Sequence, residues 1–112
     1  MTESDTLDTA LKALAHPVRR AILAQLAQND QTVNDLAEPF DMSLPAVSRH
    51  IKVLEDAGLI TRGRNAQFRP CQINPAPIKA VLTWAESYRP IWEARFDKME
   101  TLLNAKKETN ND

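Results

Sequence analysis

A mainly α-helical fold with one small β-hairpin is what this sequence predicts, on three observations. Alanine and leucine supply 27 of the 48 apolar positions, whereas valine and isoleucine supply 11, a bias that favours helix over sheet. Apolar residues recur at intervals of three and four along most of the chain, the period of a helix with one buried face. The exceptions are two short β-compatible runs, 59–62 and 67–73, separated by Gly63-Arg64-Asn65-Ala66, which has the composition of a hairpin turn.

The elements follow in order. Residues 5–15 carry Leu7, Ala10, Leu11 and Leu14 at helical spacing, with Ser4 or Thr6 as N-cap. Pro17 suits the first turn of a second helix, because its missing N–H would be unpaired there anyway, and Val18, Ile22, Gln25 and Leu26 form its inward stripe. Asn29-Asp30 ends it. Thr32 caps a short helix bearing Val33, Leu36 and Ala37, which Pro39 stops, and 39–42 is a tight connection. Ser43 caps the next helix, whose inward face is Val47, Ile51 and Leu54 and whose end is Gly58 in the left-handed conformation. From Pro77 to about residue 105 runs a long apolar stripe, with Ile78, Val81 and Ala85 before Tyr88, and Trp92, Phe96, Met99 and Leu103 after it. Pro90 would cost about 3 kcal/mol inside a straight helix, so a kink or two consecutive helices are expected near Arg89. Residues 106–112 are polar and expected to be a disordered tail.

With 112 residues the chain has room for one domain, taken as 1–112. Its net charge of −1 excludes a uniformly basic coat, so a polyanion site must come from local segregation of charge. That segregation is present: residues 29–42 carry four acids and no base, and residues 43–74 carry five bases and two acids. Two glycines are too few for a Gly-rich phosphate loop. The single cysteine, Cys71, excludes an internal disulfide and a CxxC pair. No apolar run reaches membrane-spanning length and the first residues are acidic, so the expectation is a cytoplasmic protein without a membrane partner.

A short helix, a tight turn, a second helix and a basic hairpin make a winged helix-turn-helix. The segments Thr32-Val33-Asn34-Asp35-Leu36-Ala37 and Ser43-Leu44-Pro45-Ala46-Val47-Ser48-Arg49-His50-Ile51-Lys52-Val53-Leu54, then Ala57-Gly58-Leu59-Ile60, closely resemble the ArsR/SmtB-type bacterial transcriptional repressors. The similarity starts at Leu11-Lys12-Ala13-Leu14-Ala15-His16-Pro17-Val18-Arg19-Arg20 and covers roughly residues 8 to 74. Ser-Arg-His-x-x-x-Leu-x-x-Ala-Gly-Leu is far more specific than a bare helix-turn-helix pattern. The resemblance implies a homodimeric repressor on double-stranded DNA, joined through terminal helices that carry Leu7, Leu11 and the stripe from Ile78 to Leu103. One departure is Asp41, where related proteins often have glycine; aspartate can adopt the left-handed conformation, but its charge is unhelpful beside DNA.

If Val47, Ile51 and Leu54 face inward, then Pro45, Ala46, Ser48, Arg49 and Lys52 face outward, where a protruding helix can reach base edges in the roughly 12 Å wide major groove. Arg49 is the first candidate for a bidentate guanine or phosphate contact. Ser43 and Ser48 can bond phosphate, Ser43 also serving as a cap. His50 lies between the two faces, open either to base contact or to packing. Arg62 and Arg64 on the wing can pair with flanking phosphates or enter the minor groove.

Metal-sensing members of the family place a cysteine pair in the short helix before the turn, and Thr32 and Asn34 stand at the matching positions here. Neither is a thiolate. A second family site uses Asp and His on the C-terminal helix, which here has no histidine. No metal or other cofactor is therefore expected, and because Cys71, His16 and Asp35 carry no nucleophile-and-base signature, no enzymatic activity is expected. The expected function is sequence-specific binding of an inverted repeat, with repression implied by the resemblance. The alternatives are a winged-helix module that binds protein, or a regulator responding to an effector bound among Trp84, Tyr88 and Trp92; the effector itself is not legible in the sequence.

Overall fold

The computed structural model describes residues 2–63 and 69–110 of the chain. They fall into two compact units, Met1–Val81 and Leu82–Asp112. The element order is α1 (Glu3–Leu14), α2 (Pro17–Leu26), α3 (Val33–Ala37), α4 (Leu44–Asp56), β1 (Ile60–Arg62), β2 (Cys71–Ile73), α5 (Ala76–Glu86) and α6 (Arg89–Asn110). This is the mainly helical winged helix-turn-helix that the sequence predicts, with α3 and α4 as its two central helices and β1–β2 as the wing.

The caps explain where the helices begin. Thr2, not Ser4 or Thr6, starts α1: its hydroxyl accepts the Asp5 N–H at 3.1 Å and the Asp5 carboxylate accepts the Thr2 N–H at 3.4 Å. This reciprocal box needs a carboxylate or amide three residues after the cap, and counting three from Ser4 or Thr6 reaches Leu7 or Thr9 instead. His16 caps α2, its Nδ1 accepting the Val18 N–H at 3.2 Å, with Pro17 at the first helical position. Thr32 and Asp35 repeat the capping box on α3. Ser43 caps α4, its Oγ accepting the Ala46 N–H at 3.3 Å.

Between α3 and α4 the chain turns without a left-handed residue at Asp41, because positive φ among the described residues is confined to Gly58 and Arg69. Phe40 and Met42, both packed against the core, hold the connection instead. At the far end of α4, Gly58 takes φ +77°. Its N–H donates to the Glu55 carbonyl at 2.9 Å and the Leu59 N–H to the Leu54 carbonyl at 2.9 Å, which is the Schellman pattern, with Leu54 and Leu59 both buried as its apolar pair.

In the wing, β1 and β2 pair antiparallel with Ile60 opposite Ile73, Thr61 opposite Gln72 and Arg62 opposite Cys71. The strands are shorter than the runs predicted, and Pro70, which has no N–H, limits the ladder; beyond it the Gly63 N–H donates to the Pro70 carbonyl at 2.8 Å. The free edge of β2 forms a bridge to Gln31, with Cys71 N–H to Gln31 O at 2.7 Å and Gln31 N–H to Cys71 O at 3.2 Å. The sequence offers no signal for this bridge, since one residue has no period.

The core of the first unit is Ala13, Ile22, Leu23, Leu26, Leu36, Val47, Ile51, Leu54, Leu59, Ile60 and Cys71, with Ile78 of α5 packed on it. Every element of that unit contributes. The long C-terminal stripe is split into two helices, α5 and α6, and Pro90 occupies the second position of α6, where no N–H is required. Of the polar stretch 106–112 expected as a disordered tail, the part up to Asn110 continues α6, and residues 111–112 lie outside the described residues. Lys106, Lys107 and Glu108 are good helix formers, and neither glycine nor proline intervenes to stop the helix. No helix among the described residues is long and apolar enough to cross a membrane.

Candidate nucleic-acid interface

Helix α4 presents two faces set by its sequence. Val47, Ile51 and Leu54 are buried in the core, while Ser43, Pro45, Ser48, Arg49 and Lys52 are exposed and Ala46 is half-buried. Arg49 makes no hydrogen bond or ion pair with any described residue, so its guanidinium is free to meet a ligand. Lys52 lies beside Asp56 at 3.0 Å in an exposed pair, and that hydrogen bond raises the lysine above its ordinary pKa. In water such a pair is worth little, and a phosphate can take the ammonium from it. Ser43 spends its side-chain acceptor on the cap, and its hydroxyl proton stays available for a phosphate oxygen.

His50 is turned toward the junction of α1 and α2. Its ring centroid lies 4.4 Å from that of His16, and Arg19 Nη1 donates to its Nδ1 at 3.4 Å. Arg19 also donates through Nε to the Ala13 carbonyl and through Nη2 to the Lys12 carbonyl at 3.2 Å, closing the end of α1. Partial burial first, and then the neighbouring His16, Arg19 and Arg49, lower the His50 pKa below 6.5. These contacts are the packing that the sequence left open for His50 beside base contact. His16 and Arg19 escaped sequence reasoning; the legible signal was a side-chain acceptor directly before a helix-opening proline.

Arg62 is likewise turned back on the domain. Its Nε lies 3.3 Å from Glu55 Oε2 on α4, and its Nη1 donates to Cys71 Sγ at 3.0 Å and to the Arg69 carbonyl at 3.4 Å. Cys71 is fully buried, and desolvation pushes its thiol up against the opposing pull of Arg62. Arg64 lies outside the described residues. Arg69, with φ +29° and an exposed side chain, adds a wing base that the sequence pattern did not single out.

Of the residues expected at a subunit interface, Leu7, Leu11 and Val81 are half-buried, and Ile78 packs on the core of its own unit. Ala85, Tyr88, Trp92, Phe96, Met99 and Leu103 are exposed. Trp84 and Tyr88 meet edge to face with centroids 5.7 Å apart, and Trp92 and Phe96 do the same at 6.5 Å. Arg89 lies over the Trp92 ring at 5.3 Å. Thr32, which the resemblance sets at a metal-ligand position, commits its hydroxyl to the Asp35 N–H. Among the described residues no group of three or more His, Cys, Asp or Glu could hold a metal ion.

A family model described as a helix-turn-helix domain matches residues 14–63, from the end of α1 through α4 to the start of the wing. The transcriptional repressor SdpR of Bacillus subtilis is 33% identical over 78 residues, covering 70% of this chain and 87% of SdpR. A crystal structure of an ArsR family transcriptional regulator superposes with a TM-score of 0.72 at 41% identity, covering 79% of this chain and 97% of that one. A homodimeric winged helix-turn-helix DNA-binding domain from Mycobacterium bovis, described as a candidate ArsR-family regulator, gives a TM-score of 0.61 at 25% identity over 78% of this chain and 82% of its own.

Proposed function

The chain belongs to the ArsR/SmtB family of helix-turn-helix transcriptional regulators, and from that premise we propose that it is a homodimeric repressor that reads an inverted-repeat operator with α4. The observation that carries this reading is the outward face of α4. There Arg49, with no hydrogen bond or ion pair among the described residues, stands beside Ser48 and Lys52, while the opposite face is locked in the core. On a chain of net charge −1 this local basic face is an arrangement suited to directed contact with phosphates and base edges rather than to adhesion by bulk charge.

The exposed apolar side chains of α5, α6 and the connection between them support the dimer. Trp84, Tyr88, Trp92, Phe96, Met99 and Leu103 are each at least 41% exposed, and a second copy presenting the same stripe buries them without exposing anything new. The homodimeric relative from M. bovis agrees with that assembly. In a two-fold assembly the two copies of α4 meet half-sites about 34–36 Å apart or a multiple of it. Bound at a promoter, the dimer excludes RNA polymerase.

Selection of duplexes from a random library with the full-length protein tests the reading. The expected outcome is enrichment of an inverted repeat with that spacing. Recovery of no sequence, or of an isolated half-site bound by one protomer, would contradict it.

A further inference from the structure

We propose that Arg62, together with Glu55, is a positioning pair that sets the angle of the wing against the reading helix, and that Arg62 does not itself contact DNA. This deepens the function proposed above and rests on it. The ion pair joins the first wing strand to the last turn of α4, with Arg62 Nε 3.3 Å from Glu55 Oε2 and both side chains largely withdrawn from water. The same guanidinium reaches across the hairpin to Cys71 Sγ at 3.0 Å and to the Arg69 carbonyl at 3.4 Å. One planar fork thus ties three things together: the end of the proposed reading helix, the buried root of β2, and the backbone of Arg69 just before it.

The root of the wing is also anchored by apolar packing, with Ile60 and Cys71 in one core cluster with Ile51 and Leu54 of α4, and by polar contacts on its far side. Cys71 bridges to Gln31, and Gln72 Nε2 donates to Asp30 Oδ2 at 2.9 Å, both on the α2–α3 connection. Neither contact touches α4. Strands of three residues define the direction of a hairpin weakly, and apolar packing of Ile60 against α4 is non-directional, so the Glu55–Arg62 ion pair supplies a directional tie between α4 and β1. Arginine is suited to this use because its five donors lie in one rigid plane and can serve a carboxylate, a thiol and a carbonyl together.

Two simple alternatives give different readouts. A glutamate that only repels phosphate would tighten binding when neutralised, and an arginine that contacts phosphate would lower the salt dependence when removed. The experiment titrates the selected operator duplex with the full-length protein, with Glu55→Gln, Arg62→Gln and the double variant, at several salt concentrations. Folding of each is verified by circular dichroism. Both single variants should bind about three- to tenfold more weakly, a range typical of coupling between neighbouring elements. The double variant should be no weaker than either single one, and the slope of log K against log[salt] should match the wild type throughout.

The proposal is overturned by tighter binding in Glu55→Gln, by a slope that falls by about one per protomer in Arg62→Gln, or by wild-type affinity in both. Should Arg62→Gln fail to fold, Arg62→Lys takes its place. It keeps a charge for Glu55, loses the fork, and should fall between wild type and Glu55→Gln. A wild-type protein that does not separate the operator from a scrambled duplex overturns the DNA-reading function itself, and that result is in hand before any variant is compared.

Discussion

At the scale of single residues, three cationic or imidazole side chains of one motif-bearing segment have three different fates. Arg49 points away from the core and has no described partner, His50 packs on His16 and accepts from Arg19, and Arg62 is engaged by Glu55 and Cys71. Periodicity placed Arg49 correctly because the apolar residues at 47, 51 and 54 define the buried face. It could not place His50, which sits at the border of that face, or Arg62, whose partners come from a different element. Arg49→Ala should weaken operator binding and relax discrimination by about 1–3 kcal/mol per half-site if its contact is bidentate to guanine, as read by anisotropy titration against operator and single-base variants. His50 makes a separate prediction. Its folded pKa lies below the ordinary 6.5, so below about that value the unfolded chain takes up a proton that the folded chain resists. Stability must therefore fall as pH drops through 6.5 and below. Protonation would also set a cation against Arg19 and Arg49 beside an already close His16. Urea melts at pH 7.5 and 5.5 should show a loss of stability that is smaller in His50→Gln.

At the scale of elements, the helix ends were the most legible part of the fold. Pro17, Thr32, Ser43 and Gly58 each carry a local reason for a boundary, and each boundary falls there. The starts and ends that differ from expectation do so for equally local reasons: Thr2 finds a carboxylate three residues on, and nothing after Lys106 stops α6. The bridge from Gln31 to Cys71 was not legible, because it joins residues 40 apart through backbone groups that every sequence possesses. Gly58 ties element to element. A Cβ there meets only Pro77 Cγ at 3.8 Å, but the backbone stands at φ +77°. Gly58→Ala should therefore cost about 1–2 kcal/mol through conformation rather than collision, measured as a shift in the urea midpoint with an unchanged m-value.

At the scale of the whole molecule, the residues of unit 2 present an apolar surface that a single copy leaves in water. From Ala85 the stripe runs through Tyr88, Trp92, Phe96, Met99 and Leu103 at intervals of three and four, the spacing of a helix seam. Trp92→Glu should shift sedimentation from dimer toward monomer at micromolar concentration or produce aggregation, whereas a wild-type protein that sediments as a stable monomer would contradict the assembly. Two linked copies of α4 would also account for specificity on a chain with almost no net charge, because a dimer doubles the directed contacts that each copy makes. The most direct test of that central claim is the ratio of affinities of the full-length protein for its selected operator and for a scrambled duplex of equal length, measured by anisotropy between 50 and about 200 mM salt. A ratio of about 10³ or more, with one dimer per duplex and binding that weakens as salt rises, is the expected result. Equal affinity for the two duplexes at every salt concentration would contradict it.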